Sequence, residues 1–398
     1  MDNRISSVPG LFLTLFGLLF LSGCLSPVAL NRAVTVYDEA VTDAISKQLL
    51  INIARAHRHQ PIHFTGVSNI AATFDFRMNA GATPALTGDA SKTLLPVFGG
   101  SVAENPTISI VPIEGEEFTK RLLTPFHETK FTLLLRQRFD IDLLLRLMAQ
   151  ELRIKQNGRE ISYRNTPADQ AGYEMFRRVV THLSAIQDQN QLYAKPLVSH
   201  HTWTIPANSV TAEGFQSLQN EYLVAYDQKD NTYTLQKQVT GRILITNYDP
   251  DTLSAEERTR LIDHAEEGHP NDIYFDIRPG HFGGDYPIKG DFRLRSFNTI
   301  LNFLGRGMGE DPEYHVEKDS RTPYVQENPI HAMELVLSDS SPSDADLSIK
   351  FQGKHYAVNT TGPLARWNRE AFQLLYLLFQ MTVSEVPRVG VPSITIAK

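Results

Sequence analysis

From Asn31 onward, apolar residues recur at three- and four-residue steps. Val34, Tyr37, Val41, Ile45, Leu49 and Ile53 follow that spacing and predict an amphipathic helix from Asn31 to about Arg58. Asp38 and Glu39 lie early, and Arg55, His57 and Arg58 late, the order a helix dipole favours. Pro61 ends the pattern. The period then drops to two. Ala72, Phe74 and Phe76 alternate with Thr73, Asp75 and Arg77, so Ile62 to Phe64 and Val67 to Met78 favour strand. Asn79 to Asn105 is rich in Gly, Ala, Thr and Pro and has little period, which predicts a long loop or mobile insertion. Thr107 to Ile113 reads as strand again.

A helical block follows. Glu114, Glu116 and Glu117 place negative charge at the start of a helix that runs to about Leu123, before Pro125. Lys130 to Leu152 holds two apolar helical stretches, with Asp140 or Asp142 at their junction. Thr166-Pro167-Ala168-Asp169 reads as a helix start with Thr166 as N-cap, and that helix should reach about Gln187. Strands are expected at Glu221 to Tyr226, Thr232 to Gln236, Gly241 to Asn247 and Asp272 to Ile277, with a polar surface helix at Ala255 to Glu267. After a glycine-rich link, Pro279 to Gly290, Phe292 to Leu294 is a strand and Ser296 caps a helix to about Leu304. Met333 to Leu337, Leu347 to Phe351 and His355 to Val358 predict an antiparallel meander. Asn368 would cap an apolar helix, Phe372 to Val383, buried between layers or serving as a docking surface. Ser393 to Ala397 would be a closing strand.

Helices and strands come in blocks rather than in strict alternation, which predicts an α+β fold: an N-terminal amphipathic helix, a helical block, antiparallel sheet segments, and a C-terminal meander plus apolar helix. The length suits one large domain or two medium ones. The expected division is a helix-rich region over 31–195 and a strand-rich region over 196–398, within reach of a single compact body.

The first residues have another character. Arg4 gives a positive start, weakened by Asp2, and Leu11 to Leu21 is an apolar run broken only by Thr14 and Gly17. That run is about half of the roughly 20 residues a spanning helix needs. Ser22 and Gly23 then precede Cys24, the sole cysteine in 398 residues. Leu21-Ser22-Gly23-Cys24 resembles the lipobox of bacterial lipoproteins. The resemblance implies a signal peptide over 1–23, cleavage between Gly23 and Cys24, a diacylglycerol on the Cys24 sulfur, an acyl chain such as palmitate on the new amine, and a short tether over 24–30. Leu25, rather than an aspartate, stands after the cysteine. By analogy this implies the outer membrane, with the body facing the periplasm. Tyr37 to Arg55 (YDEAVTDAISKQLLINIAR), PIEGEEFTKRLLTP and RLRSFNTILNFLGRG are also similar to stretches of an uncharacterised group of bacterial lipoproteins. That likeness implies location and nothing catalytic.

Charge and composition narrow the partners. The net charge is −7 with no long basic run, which argues against nucleic acid and against electrostatic attachment to anionic lipid. With Cys24 acylated, no thiol remains for a disulfide, a zinc site or a nucleophile.

Candidate chemistry is sparse. His57, His59 and His63 surround Pro61 and offer imidazoles for zinc or copper. His59 and His63 would lie about 13 Å apart in an extended chain, so one ion needs the proline to fold them together. His200 and His201 face opposite sides of a strand. Ser101 follows Gly99-Gly100 but lacks the setting of a nucleophile elbow. Gly305, Gly307 and Gly309 follow a helix, without a Walker lysine, and read as a helix stop rather than a nucleotide loop. Asp276, His281 and Asp285 surround the glycine-rich link and suggest a polar pocket for glycan or peptide. Asp140 and Asp142 are too local to make a glycosidase pair. The expectation is a non-catalytic anchored lipoprotein, a scaffold or assembly component of an envelope complex with protein partners and no cofactor. The alternative is an anchored cell-wall hydrolase or glycan-binding body using the loop around His281.

Overall fold

The computed structural model describes residues 25–84, 94–156 and 159–383. Gly23, Cys24, the apolar leader and Ser393 to Ala397 lie outside the described residues. The fold is α+β. It divides into two compact units: one gathers the described parts of Met1–Leu50 and His63–Glu114, the other Ile51–Ile62 and Gly115–Ser384. The division expected after residue 195 instead falls inside a strand of the second unit.

α1 (Leu25–His57) belongs to the first unit as far as Leu50 and to the second from Ile51, and Leu25 to Leu30, expected as part of a tether, are already helical. Its apolar stripe is covered only late. Leu49 and Leu50 are fully buried, whereas Val34 is 59% and Val36 53% exposed. Then come β1 (Phe64–Pro84) and β2 (Leu94–Ile113), a two-stranded antiparallel ribbon. The expectation of a loop over Asn79 to Asn105 is corrected here. Asn79 to Pro84 pairs with Leu94 to Gly99, and Gly100 to Asn105 pairs back to Met78 through Thr73. Small residues carry little strand propensity, yet two long partners in register hold them extended.

In the second unit, α2 (Glu116–Leu123), α3 (Glu128–Arg136) and α4 (Ile141–Met148) form the expected block. Asp140 caps α4, accepting from the Asp142 amide at 2.7 Å. The chain then turns to strand at Ala149, where a helix to Leu152 was expected. β3 (Ala149–Gln156) lies between β4 (Arg159–Arg164) and a later strand, and that two-sided pairing overrides the helical period. α5 (Gln170–Asp188) begins after Asp169, not Thr166: the Asp169 carboxylate accepts from the Gly172 amide. β5 (Tyr193–Pro206), α6 (Ala212–Glu221), β6 (Leu223–Asp227) and β7 (Thr232–Thr246) follow, with β7 running unbroken through Gly241. α7 (Ala255–Glu266) starts with a Ser254–Glu257 capping box. It is not wholly a surface helix, because Leu261, Ile262 and Ala265 pack on Leu197, Leu244 and Tyr274.

β8 (Asp272–Ile277) and β9 (Ile288–Leu294) complete a seven-stranded sheet of order β4-β3-β9-β8-β7-β5, with β6 also on β7. Among the described strands only β7 and β8 pair in parallel. Every residue of α4 and of β8 is buried, which places the core between the helical block and the sheet centre. Ser296 caps α8 (Phe297–Gly307) as expected. β10 (Leu335–Ser338), β11 (Ser348–Phe351) and β12 (Lys354–Val358) form a small sheet with β12 central, so the meander order is corrected. Gln352 and Gly353 both take positive φ in the tight turn between β11 and β12. α9 (Ala365–Thr382) starts before Asn368. That residue is buried inside it, donating to the Asn359 carbonyl and accepting from the Glu334 amide. α9 is buried along one face, while Gln373 and Gln380 are exposed.

Candidate functional site

The histidine run does not gather. His57 Nδ1 lies 3.1 Å from the Gly305 carbonyl, and its ring meets Tyr356. His59, at φ 54, is 2.5 Å from Glu310. The His57 and His59 rings thus have separate protein neighbours, and among the described residues no three His, Cys, Asp or Glu side chains are placed to hold a metal. Gly305 has a packing role. A Cβ there would lie 2.6 Å from the His57 amide nitrogen, so glycine lets α8 close on the end of α1.

The glycine-rich loop is likewise occupied. Asp276 is buried and accepts from the Tyr248 hydroxyl and from Arg278 Nε, both at 2.8 Å. His281 is exposed against the Tyr248 ring at 5.6 Å. Asp276 and His281 therefore share Tyr248 as a neighbour, while Asp285 is exposed. Ser101 lies within β2 opposite Arg77, not in a loop. His201 stacks on Trp203.

Other groups stand out only in three dimensions. Residues 308–334 have no helix or strand yet are pinned onto α4 and α5 by buried charge. Arg146 donates to Glu313 at 2.7 Å, to the Pro329 carbonyl at 2.9 Å and to the Ile330 carbonyl. Glu313 also accepts from Tyr173 and from the Ala332 amide. Arg177 donates to Asp142 at 2.5 Å and to Asn328 at 2.8 Å. Burial opposes ionisation of Glu313, but the Arg146 guanidinium outweighs it and holds the carboxyl below its usual range. This network specifies the path of the segment. Arg146, Arg177, Asp142 and Glu313 are buried, while Asn328 is half-buried and Ile330 exposed at the edge of the network.

Two clefts remain. The larger, of about 870 Å³, is lined by Phe139, Asp140, Asp188, Glu327, Arg366 and Glu370 among others. Burial, then the neighbouring Asp142 carboxylate, raises Asp140 to about 7. The smaller, of about 360 Å³, holds Arg164, Arg295 and Arg306 beside Glu151 and Asp311. Arg295 is buried, gives its guanidinium to the Arg146, Leu147 and Asn165 carbonyls, and stacks on Phe303 at 4.0 Å.

The most exceptional feature is the ribbon. β1 and β2 pair from Phe64↔Ile113 to Pro84↔Leu94, with one irregularity between Val67 and Asn69. Strands of 21 and 20 residues extend roughly 65 Å at about 3.3 Å per residue. No third strand pairs with either among the described residues, so each has an outer edge, which at the start of β1 gives the Thr65 amide to the Gln48 side chain at 2.8 Å. Alternation sorts the positions. Ile70, Ala72, Phe74, Phe76, Met78 and Ala80 share one face with Ile108, Val102 and Phe98 across the ladder, where Glu104 is the single charge. Thr73, Asp75, Arg77 and Asn79 share the other with Thr107, Asn105 and Ser101.

Comparison with known protein families, curated proteins and solved structures finds no match.

Proposed function

We propose that this chain is a lipid-anchored, non-catalytic component of a cell-envelope assembly, held in the outer membrane through Cys24 with its body on the periplasmic side. The ribbon carries this reading. A lone two-stranded hairpin is marginal in water, and long unpaired edges are templates for strand pairing. Such an element is suited to pairing with another chain. The exposed Val34 and Val36 of α1 add apolar surface for a partner. Anchoring follows from the lipobox: each buried methylene contributes about 0.8 kcal/mol, and two or three chains on one cysteine give durable attachment.

Two measurements test the reading. Cys24→Ser should leave unprocessed precursor and abolish labelling by fatty acid; normal labelling would sink the anchor. Gentle cross-linking followed by detergent extraction should recover complexes, and monomer alone would refute the assembly role.

The larger cleft favours a second reading, the glycan-binding or hydrolytic body. There a carboxyl protonated near neutrality, Asp140, lines the same cleft as Asp188, an arrangement that general acid catalysis uses. Binding or cleavage of peptidoglycan fragments that is lost in Asp140→Asn would support it. No change in either assay removes it.

A further inference from the structure

The alternation in the ribbon has the period and length of a strand pair built for hydrocarbon. Pro96 and Pro106 donate no hydrogen bond and bracket Val97 to Asn105 on β2. Those nine residues match the roughly 9–11 of a membrane-spanning strand. They extend about 30 Å, or about 23 Å in height at a tilt near 40°, close to the apolar band of an outer-membrane barrel. Across the ladder they meet Thr73 to Gly81, where the apolar set is Phe74, Phe76, Met78 and Ala80. Phe74 and Phe98 fall near opposite ends of the span, the levels at which barrels carry aromatic girdles. Glu104 falls beside Phe74, one residue from an end, where a carboxylate costs little.

One ribbon cannot enter lipid by itself, because each unpaired main-chain group in hydrocarbon costs several kcal/mol. Closure removes that cost. Every copy carries one β1 edge and one β2 edge. Setting the β1 edge of one copy against the β2 edge of the next keeps the whole sheet antiparallel. It repeats head to tail until a ring closes, and the strand count is even whatever the number of copies.

We infer that the β1–β2 ribbons of several copies of this chain pair edge to edge and close into a membrane-spanning β-barrel, with the Phe74, Phe76, Met78 face toward lipid and the Asp75, Arg77, Asn79 face toward a water-filled lumen. This deepens the anchored-assembly reading and rests on it. The partner becomes a second copy, and the assembly gains a conduit.

The sole native cysteine is Cys24, which suits the full-length protein to single-cysteine scanning in its own membrane. Cysteines replacing Asp75, Arg77 and Asn79 should react with a membrane-impermeant maleimide. Those replacing Phe74, Phe76 and Met78 should lose that labelling, and edge cross-linking should give a ladder ending at one closed oligomer. Equal labelling at all six positions would place the ribbon in water; protection at all six would enclose it in another protein. Either result overturns the barrel. Fatty acid carried by the same samples is read separately. Lipid retained with uniform labelling refutes the barrel and spares the anchor, whereas lipid absent refutes the anchor whatever the scan shows.

Discussion

Arg146 has no exposed surface, and its guanidinium ends on Glu313 and two main-chain carbonyls. Truncating one partner of such a pair leaves an uncompensated buried charge, at a cost of about 3–5 kcal/mol. Arg146→Met should lower the urea midpoint accordingly. Arg146→Met combined with Glu313→Leu should cost less than the single change, because no charge is then stranded. A double variant as weak as the sum of its parts would show that the segment 308–334 is held by other contacts. Asp140 tests the opposite sign. Its carboxyl rises from 3.8 unfolded to about 7 folded, so the folded state binds more protons between those values and stability falls as pH rises through them. Asparagine caps helices as well as aspartate. Asp140→Asn should therefore match the parent near pH 3.5 and exceed it in Tm by a margin that grows toward pH 8. A margin independent of pH would assign Asp140 an ordinary carboxyl.

At the scale of elements, Gly305 sets two effects against each other. Alanine gains about 1 kcal/mol of helix propensity over glycine. A Cβ 2.6 Å from the His57 amide nitrogen overpacks a backbone contact, at roughly 1–3 kcal/mol. Gly305→Ala should lower Tm, and a rise would mean that α8 and α1 approach less closely. The same glycine shows what pattern alone conveys. A glycine near the end of an apolar run reads as a stop, and only the neighbouring helix reveals it as a contact. Caps and periods of nearby residues were legible: Ser296, β8 and β12 stand where local pattern put them. Long-range pairing was not. β3 continues a helical period and is strand because β4 and β9 flank it. Asn368 resembles a cap and instead ties α9 to Glu334 and Asn359. Arg146 and Glu313 stand 167 residues apart. Of the ribbon, Ala72 to Arg77 was plain from alternation alone, while Asn79 to Asn105 was obscured by glycine, alanine and proline.

At the scale of the whole molecule, a ring multiplies the effect of each substitution. Among the described residues no helix is long and apolar enough to cross a membrane, and the proposed pore is built from strands contributed by several copies. Phe76 lies opposite Val102, near the middle of the bracketed span. An arginine at mid-depth on the lipid face costs about 2–4 kcal/mol, and every copy in the ring contributes that cost. The smallest such barrels have about eight strands, or four ribbons, so a uniform Phe76→Arg ring would lose about 8–16 kcal/mol. Asn79→Arg, on the lumenal face, carries no such cost. Phe76→Arg should therefore abolish the closed oligomer while Asn79→Arg preserves it. Co-expression sharpens the contrast. With equal amounts of parent and Phe76→Arg chains, only about one four-ribbon ring in sixteen is wholly parental. The closed oligomer should then fall well below half, a dominant loss read by counting cross-linked species. A fall to just one half would mean that the copies act singly, with each ribbon paired to something other than its neighbour's.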